Sequence, residues 1–212
     1  MKLVLYYAPM TCATVPYVTL TEAGAEFEAR PLNFRTSQNN TPEYLKLNPM
    51  HKVPVLVIDG QPLTENVAIQ IWIARNFPGA KLLPADEMQE MQAISLMAWC
   101  ASDIHPHLSR TNSPAKYCDA TDCEDAIRRP AAKLLHENFK IADEKLAGRA
   151  YFFDHFTAAD AYFFWCLRRA SQLEVPLPQF ANCMAHFERM QQRPSVRKVL
   201  AFETDVRNEF AK

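Results

Sequence analysis

The feature that most constrains the fold of this chain is a proline before an apolar run, with a helix start shortly after it. Val53-Pro54 precedes the run Val55–Ile58. Because proline has no N–H to donate to a sheet, we expect Pro54 at the start or edge of a strand, with Val53 extended and its own amide and carbonyl free. Ten residues later Thr64-Glu65-Asn66 opens an amphipathic helix, whose first amides can bind an anion. An extended edge beside a carboxylate pocket suits a small peptide.

The composition permits a sizeable core and excludes several classes of partner. Of the 212 residues, 49% are hydrophobic, which allows one domain or two small ones. The formal net charge of −1 gives no overall field that would recruit nucleic acid or an anionic membrane. No apolar stretch approaches the ~18 to 20 residues that span a bilayer, and the apolar run at the start is too short for a secretory signal. We therefore expect a cytoplasmic protein without nucleic-acid or membrane partners.

The cysteines show neither metal-ligand spacing nor a dense disulfide pattern. They stand at positions 12, 100, 118, 123, 166 and 183. In a chain of this length we expect reduced thiols, with Cys118 and Cys123 as incidental thiols in a loop. We also expect no metal site, since His105 and His107 are two residues apart on a predicted helix and point to different faces.

The first part of the chain alternates between strand and helix patterns. Asp59-Gly60 is the strongest hairpin signal, and Thr41-Pro42 combines a helix cap with proline at the first helical position. The patterns predict strands over 2–7, 27–32, 53–58 and 61–63, and helices over 12–23, from 41 onward and over 65–76. This βαβ-then-ββα order predicts a thioredoxin-like α/β domain over residues 1–78.

The rest of the chain shows helical periodicity only. A connector at 79–84 is predicted to separate the first domain from an all-α domain over 85–212, because two prolines and one glycine interrupt the stretch 77–84. Helices are predicted over 85–109, 123–147, 157–172, 183–192 and 195–208. Thr157 and Asp160 form a capping box, in which each side chain can bind the other residue's backbone amide. The aromatic run 162–165 has the spacing of core residues.

These features together resemble the glutathione S-transferase family, and most closely its bacterial beta class. The resemblance rests on the valine and cis-proline at 53–54, the thioredoxin-like order before a helical domain, and the capping box at 157–160. It implies the glutathione transferase fold, glutathione as co-substrate, and a homodimer. It also implies a small hydrophobic electrophile that binds in a cleft between the two domains.

Three residues near the end of the first strand are candidates for activating the glutathione thiol. Cys12 matches the cysteine that faces the glutathione sulfur in beta-class enzymes, and it stands at a predicted helix start, where the macrodipole and free amides would stabilise a thiolate. Tyr7 matches the thiol-stabilising hydroxyl of tyrosine-type transferases. Thr11 could act as the hydroxyl of serine-type enzymes, or it could cap the first helix.

A histidine in the helical domain is a further catalytic candidate. His105 resembles a beta-class histidine that approaches the glutathione sulfur. Because the pKa of histidine lies near neutrality, it could exchange a proton with the thiol. The alternative is a solvated helix histidine next to Pro106.

The resemblance also assigns residues to glutathione binding. Val53 would pair its amide and carbonyl with the cysteinyl moiety, as an added antiparallel strand would. Glu65 and Asn66 would hold the γ-glutamyl end, with a helix-start amide on the carboxylate and the Glu65 side chain on the ammonium. Lys52 and Arg35 would pair with the glycyl carboxylate. Asn66 replaces the serine that is usual in the family, but the backbone amide survives that change.

The leading hypothesis is a transferase that conjugates the glutathione thiolate to small apolar electrophiles. Two alternatives stay open. In one, Cys12 is the nucleophile of thiol–disulfide exchange or deglutathionylation, by a monothiol route because Pro9 occupies the place of a second cysteine. In the other, the fold is a non-catalytic binding module.

Overall fold

The computed structural model describes residues 1–173 and 175–212 and separates the chain into two compact units. The first unit combines residues 1–85 with 192–212, and the second covers 86–191. The predicted division placed all of 85–212 in the second domain. The last helix instead belongs to the first unit, because it packs on the first helix of the chain and binds its side chains.

The first unit is built on a mixed, four-stranded sheet with the strand order β2-β1-β3-β4. Its strands are β1 (Leu3–Tyr7), β2 (Glu28–Pro31), β3 (Val55–Ile58) and β4 (Gln61–Leu63). β1 runs parallel to β2 and antiparallel to β3, and β4 is antiparallel to β3. The predicted thioredoxin-like α/β arrangement is confirmed.

Two local features of this sheet follow from the residues that form it. Asp59 and Gly60 both have positive φ, 46° and 89°, as a two-residue turn with the right twist for a hairpin requires. The Val53-Pro54 peptide bond is cis, as the resemblance implied. β3 begins only at Val55, two residues later than predicted, because Pro54 cannot donate to the ladder.

Four helices complete the first unit. They are α1 (Thr14–Glu22), α2 (Pro42–Leu45), α3 (Asn66–Asn76) and, at the end of the chain, α9 (Pro194–Phe210). Pro16 lies in the first turn of α1, where its missing N–H removes no intrahelical bond. Thr41 caps α2 as predicted, accepting a hydrogen bond from the Tyr44 amide at 3.3 Å.

The second unit contains helices only, among its described residues. They are α4 (Glu87–Trp99), α5 (His105–Asn112), α6 (Glu124–Lys145), α7 (Ala158–Gln172) and α8 (Ala181–Gln191). The predicted all-α character is confirmed. The single helix predicted over 85–109 is interrupted by a π-helical turn, Cys100–Ile104, which relieves the clash that Pro106 would make with the carbonyl one turn earlier.

The predicted capping box stands at the start of α7 and is part of a larger buried network. Asp160 Oδ2 accepts from the Thr157 amide at 2.8 Å and from its hydroxyl at 3.0 Å. Asp160 Oδ1 accepts from the Phe152 amide at 3.0 Å and lies 3.1 Å from His186 Nε2. The aromatic run 162–165 is buried in the core of this unit, as predicted.

One prediction about the cysteines is wrong. Cys118 and Cys123 form a disulfide instead of remaining two free thiols. The turn before α6 brings their Cα atoms to 6.3 Å, which is within the range that a disulfide bridges. The other four cysteines are free and buried.

In the part of the chain that the structure describes, no group of three or more His, Cys, Asp or Glu side chains is arranged to hold a metal ion. No helix within the same residues combines the length and the apolar character that crossing a bilayer requires.

Candidate functional site

The Cys12 thiol lies against the cis-proline segment of the first unit. Cys12 is in the turn between β1 and α1, two residues before the helix begins. Its Sγ donates to the carbonyl oxygen of Val53 at 3.6 Å, and each of the two residues is only 8% exposed. The fold therefore brings together the thiol and the extended edge, which the sequence places 41 residues apart.

The electrostatics of Cys12 differ from the prediction. Burial raises the pKa of its thiol to about 12, and it outweighs the opposing hydrogen bonds from the backbone and from the Asn66 side chain. A thiolate stabilised by the helix start was expected. Because the thiol is removed from water, the neutral form prevails instead, and at neutral pH Cys12 can donate a hydrogen bond through its S–H.

The start of α3 is tied directly to Cys12. The Asn66 side chain is buried, and its Nδ2 donates to the Cys12 carbonyl oxygen at 2.9 Å. Its Oδ1 accepts from Nε2 of the fully buried Gln70 at 3.1 Å. Gln70 thereby sets which end of the Asn66 amide faces Cys12, so the side chain at this position holds the thiol-bearing turn in place.

Glu65 precedes α3 in a strained backbone conformation. Its φ is +65°, a region that residues with a side chain rarely adopt. The Glu65 side chain is exposed, and among the described residues no side chain caps the first amides of the helix. An exposed carboxylate and a helix start with uncapped amides lie together here, as predicted.

The hydroxyl of Tyr7 is engaged by a carboxylate that the sequence analysis did not identify. Tyr7 is fully buried, and its hydroxyl donates to Oε1 of Glu203 on α9. The same oxygen accepts from the Met10 amide and the Thr14 hydroxyl, each at 3.1 Å. Three donors from β1, the following turn and α1 thus converge on one buried carboxylate, which fixes the shape of the turn that carries Cys12.

A pattern in α9 could have identified Glu203. The buried residues of this helix include Val196, Val199, Glu203 and Val206, which follow helical spacing. A carboxylate within an apolar stripe requires hydrogen-bond partners in the fold. The sequence therefore contained a signal for a buried acceptor, although it could not identify the donors.

Thr11 serves the turn before α1. Its hydroxyl donates to the Ala8 carbonyl at 2.7 Å and accepts from the Ala13 amide at 3.3 Å. Both partners are backbone groups of the turn itself, and no side chain caps α1 among the described residues, so Thr11 braces the turn instead of capping the helix.

The two predicted cations, Lys52 and Arg35, are exposed in the first unit. The Lys52 carbonyl accepts from the Tyr44 hydroxyl at 2.6 Å and from Asn48 Nδ2 at 2.8 Å, so the backbone before Val53 is held firmly. Arg35 lies in a short 3₁₀ turn, and its amide donates to the Asn33 side chain at 3.0 Å. Both residues are therefore exposed on segments whose backbone is held by hydrogen bonds.

His105 belongs to the second unit, where it begins α5. Its ring meets the ring of Trp165 edge to face, with 4.4 Å between the centroids. The histidine therefore packs against the aromatic core of its own unit.

Comparison with known proteins identifies relatives of both halves of the chain. Residues 1–75 match the family model "Glutathione S-transferase, N-terminal domain", and residues 119–201 match "Glutathione S-transferase, C-terminal domain". Glutathione S-transferase GstA of Escherichia coli O157:H7 is 30% identical over 207 residues, which cover 94% of this chain and 98% of the relative.

Solved structures give the same result. A sphingomonad glutathione S-transferase complexed with glutathione is 29% identical, with a TM-score of 0.82 over 95% of this chain and 98% of that one. A bacterial beta class glutathione S-transferase from Sphingomonas chungbukensis is 28% identical, with a TM-score of 0.83 over 94% and 98% of the two chains.

Proposed function

Since this chain belongs to the glutathione S-transferase family, we propose that it activates the thiol of reduced glutathione and transfers it to a small, mainly apolar electrophile. The observation that carries this proposal is the contact between the Cys12 thiol and the carbonyl of Val53, next to the cis-proline. It supports a site in which a bound peptide thiol and the protein thiol meet at one extended edge.

Glutathione binding would use backbone groups and two charged ends. Val53 would pair with the cysteinyl amide and carbonyl, because the backbone before β3 is available as a strand edge. The amides at the start of α3 would receive the γ-glutamyl carboxylate, and the exposed Glu65 carboxylate its ammonium. Lys52 and Arg35 would pair with the glycyl carboxylate.

Cys12 would act as a hydrogen-bond donor in this site. Its burial keeps the S–H protonated at neutral pH. When glutathione binds, this S–H would turn from the Val53 carbonyl, which then accepts from the cysteinyl amide, to the glutathione sulfur and favour its thiolate form. In conjugation the glutathione thiolate forms a C–S bond with the electrophile, whose leaving group departs with its electron pair, and the thiol proton passes to solvent. We assign Tyr7 to holding the turn, because Glu203 accepts from its hydroxyl.

The test is calorimetric titration of reduced glutathione into the wild type and Cys12→Ala, with the bound thiolate followed by ultraviolet absorbance. Cys100→Ala is a matched control, since Cys100 is also free and buried but lies in the second unit. We expect binding by all three proteins and a thiolate signal that Cys12→Ala alone loses. A signal that survives in Cys12→Ala would transfer the role to Tyr7 or Thr11, and absence of binding by the wild type would contradict the function.

A second experiment tests the alternative thiol–disulfide chemistry. A glutathione adduct on Cys12, found by mass spectrometry after exposure to glutathione disulfide, would favour deglutathionylation.

For the glycyl carboxylate, Arg35→Gln and Lys52→Gln should each weaken glutathione binding about threefold to fivefold, the size of an exposed charge pair. The exposed Lys46 provides the control, because Lys46→Gln removes the same charge away from the site.

We also propose that the chain forms a homodimer. Its support is a set of exposed apolar side chains in the second unit: Met88 and Met91 on α4, and Leu134 and Ile141 on α6. Each pair shares one helix face, and such surface is costly to leave in water. Light scattering should give twice the chain mass of 24.2 kDa, and Ile141→Glu should shift it toward one chain, whereas Lys140→Glu beside it should not. A monomeric wild type would contradict the proposal.

A further inference from the structure

A cavity of about 550 Å³ lies inside the first unit, among the turn after β1, the segment after β2 and helix α9. Its volume falls within the range of ~300 to 1,000 Å³ that is typical of small-molecule sites. The turn after β1 contributes Met10 to the wall, and the segment after β2 contributes Phe34 and Arg35. Helix α9 contributes Arg207 and Phe210.

The lining of this cavity is positively charged. Arg35 and Arg207 both contribute to it, and no aspartate or glutamate is among the described residues that line it. Neither guanidinium has an ion-pair partner within the part of the chain that the structure describes. A planar guanidinium presents a fork of donors that matches a carboxylate.

Arg207 is directed at the turn that leads to Cys12. It stands one helical turn after Glu203, so both residues face the same side of α9. Glu203 accepts from the Met10 amide, and Arg207 Nη1 lies 3.9 Å from Met10 Sδ. Two residues of chain span at most about 7 Å, so the part of the wall formed by Met10 is close to the backbone of Cys12.

Two aromatic rings make the same cavity suitable for a flat apolar group. Phe34 is 43% exposed and Phe210 is half-buried at the end of α9, and both line the cavity. Exposed rings next to a cation offer stacking area together with a charged anchor.

We propose that this cavity receives the electrophile and favours an aromatic one that carries a carboxylate or a similar anionic group, bound by Arg207. The inference rests on the transferase function proposed above and specifies its substrate class. Because Arg35 is assigned to the glycyl carboxylate of glutathione, Arg207 is the cation that serves the electrophile. Arg207 is thus a specificity-determining residue.

The kinetic test uses two electrophiles that share the reacting ring and differ in the charge of one substituent; their difference in intrinsic reactivity cancels when variants are compared. 4-Chloro-3,5-dinitrobenzoate and its methyl ester both react with the glutathione thiolate at the carbon that bears chlorine; a C–S bond forms and chloride leaves with its electron pair. The readout is the ratio of kcat/KM for the acid to kcat/KM for the ester. Arg207→Gln should lower this ratio about fivefold, which corresponds to ~1 kcal/mol for an exposed charge pair.

Two further variants make the result specific. Lys198→Gln removes one charge from the same helix at an exposed position outside the cavity, and it should leave the ratio unchanged. Arg207→Lys should retain part of the preference, because the charge remains while the fork of donors is lost. An unchanged ratio in Arg207→Gln, or an equal fall in Lys198→Gln, would overturn the proposal.

A binding measurement keeps this inference separate from the proposed function. The dissociation constant of 3,5-dinitrobenzoate, which lacks the leaving group, is measured by calorimetry without glutathione. Arg207→Gln should raise it about fivefold relative to the wild type and to Lys198→Gln. No binding by the wild type would overturn the inference while leaving glutathione activation intact, and binding without conjugation would overturn only the transferase function.

Discussion

The ionisation of Cys12 is the sharpest prediction of this structure. With a pKa of about 12, roughly one Cys12 thiol in 100,000 is ionised at pH 7, against about 3% of an ordinary cysteine with a pKa of ~8.5. Because the thiolate is the reactive form, Cys12 should react with iodoacetamide about three thousandfold more slowly than an ordinary thiol, before any effect of restricted access.

The pH dependence separates ionisation from access. Labelling of the Cys12 peptide is followed by mass spectrometry from pH 6 to about pH 10, with free glutathione in the same tube as an internal reference. We expect the rate to rise about tenfold per pH unit without levelling off, because a pKa of about 12 lies above the whole range. Restricted access alone would lower the rate at every pH by one factor. A plateau below about pH 9 would refute the reasoning and would favour a nucleophilic Cys12.

Three further predictions concern buried or partly buried contacts within one unit or the other. Glu203→Ala should lower the free energy of unfolding by about 2 to 4 kcal/mol in urea, because it removes the buried acceptor of the Tyr7 hydroxyl and the Met10 amide, whereas the Thr14 hydroxyl keeps the Thr11 carbonyl at 2.9 Å. A loss below about 1 kcal/mol would contradict this role. Asp160→Ala should lower the free energy of unfolding by ~3 to 5 kcal/mol, because it removes the cap of α7 and the buried hydrogen bonds around it. Asp154 is exposed, so Asp154→Ala should be nearly neutral, and equal losses in the two variants would argue against the network. Burial raises the pKa of Glu22, but hydrogen bonds from Arg193 and Ser195 and the Arg193 charge lower it more, so the folded pKa lies below 4.5. Glu22 therefore stabilises the fold above about pH 4.5, and the difference between wild type and Glu22→Gln in urea unfolding should shrink as the pH falls through the folded pKa; a difference that is constant from pH 7 to acid would contradict the assignment.

Much of the fold could be predicted because its signals are local. The Asp59-Gly60 turn, the Thr41 cap and the Thr157–Asp160 box each depend on residues within four positions of one another. Helix ends were less well predicted: α1 starts at Thr14 instead of 12, because the turn that carries Cys12 takes up the preceding residues.

Several residues of the candidate site were predicted, but their side-chain contacts and the protonation of Cys12 were not. Cys12, Val53 and Asn66 were all identified, and the fold brings them into contact. The role of the Asn66 side chain was missed, because its partner carbonyl lies 54 residues earlier in the chain. The engagement of Tyr7 by Glu203 spans 196 residues and needed the last helix to belong to the first unit.

The sequence by itself determined the order of strands and helices, the tight turn, the helix caps and the family to which the chain belongs. Those features rest on backbone preferences and on contacts between near neighbours, which a single segment already contains. The tertiary structure alone decided the protonation of Cys12, the engagement of Tyr7 and the cavity that Arg207 lines. The physical reason is that desolvation and hydrogen-bond pairing depend on which distant residues exclude water from a group, and only the packed chain brings those residues together.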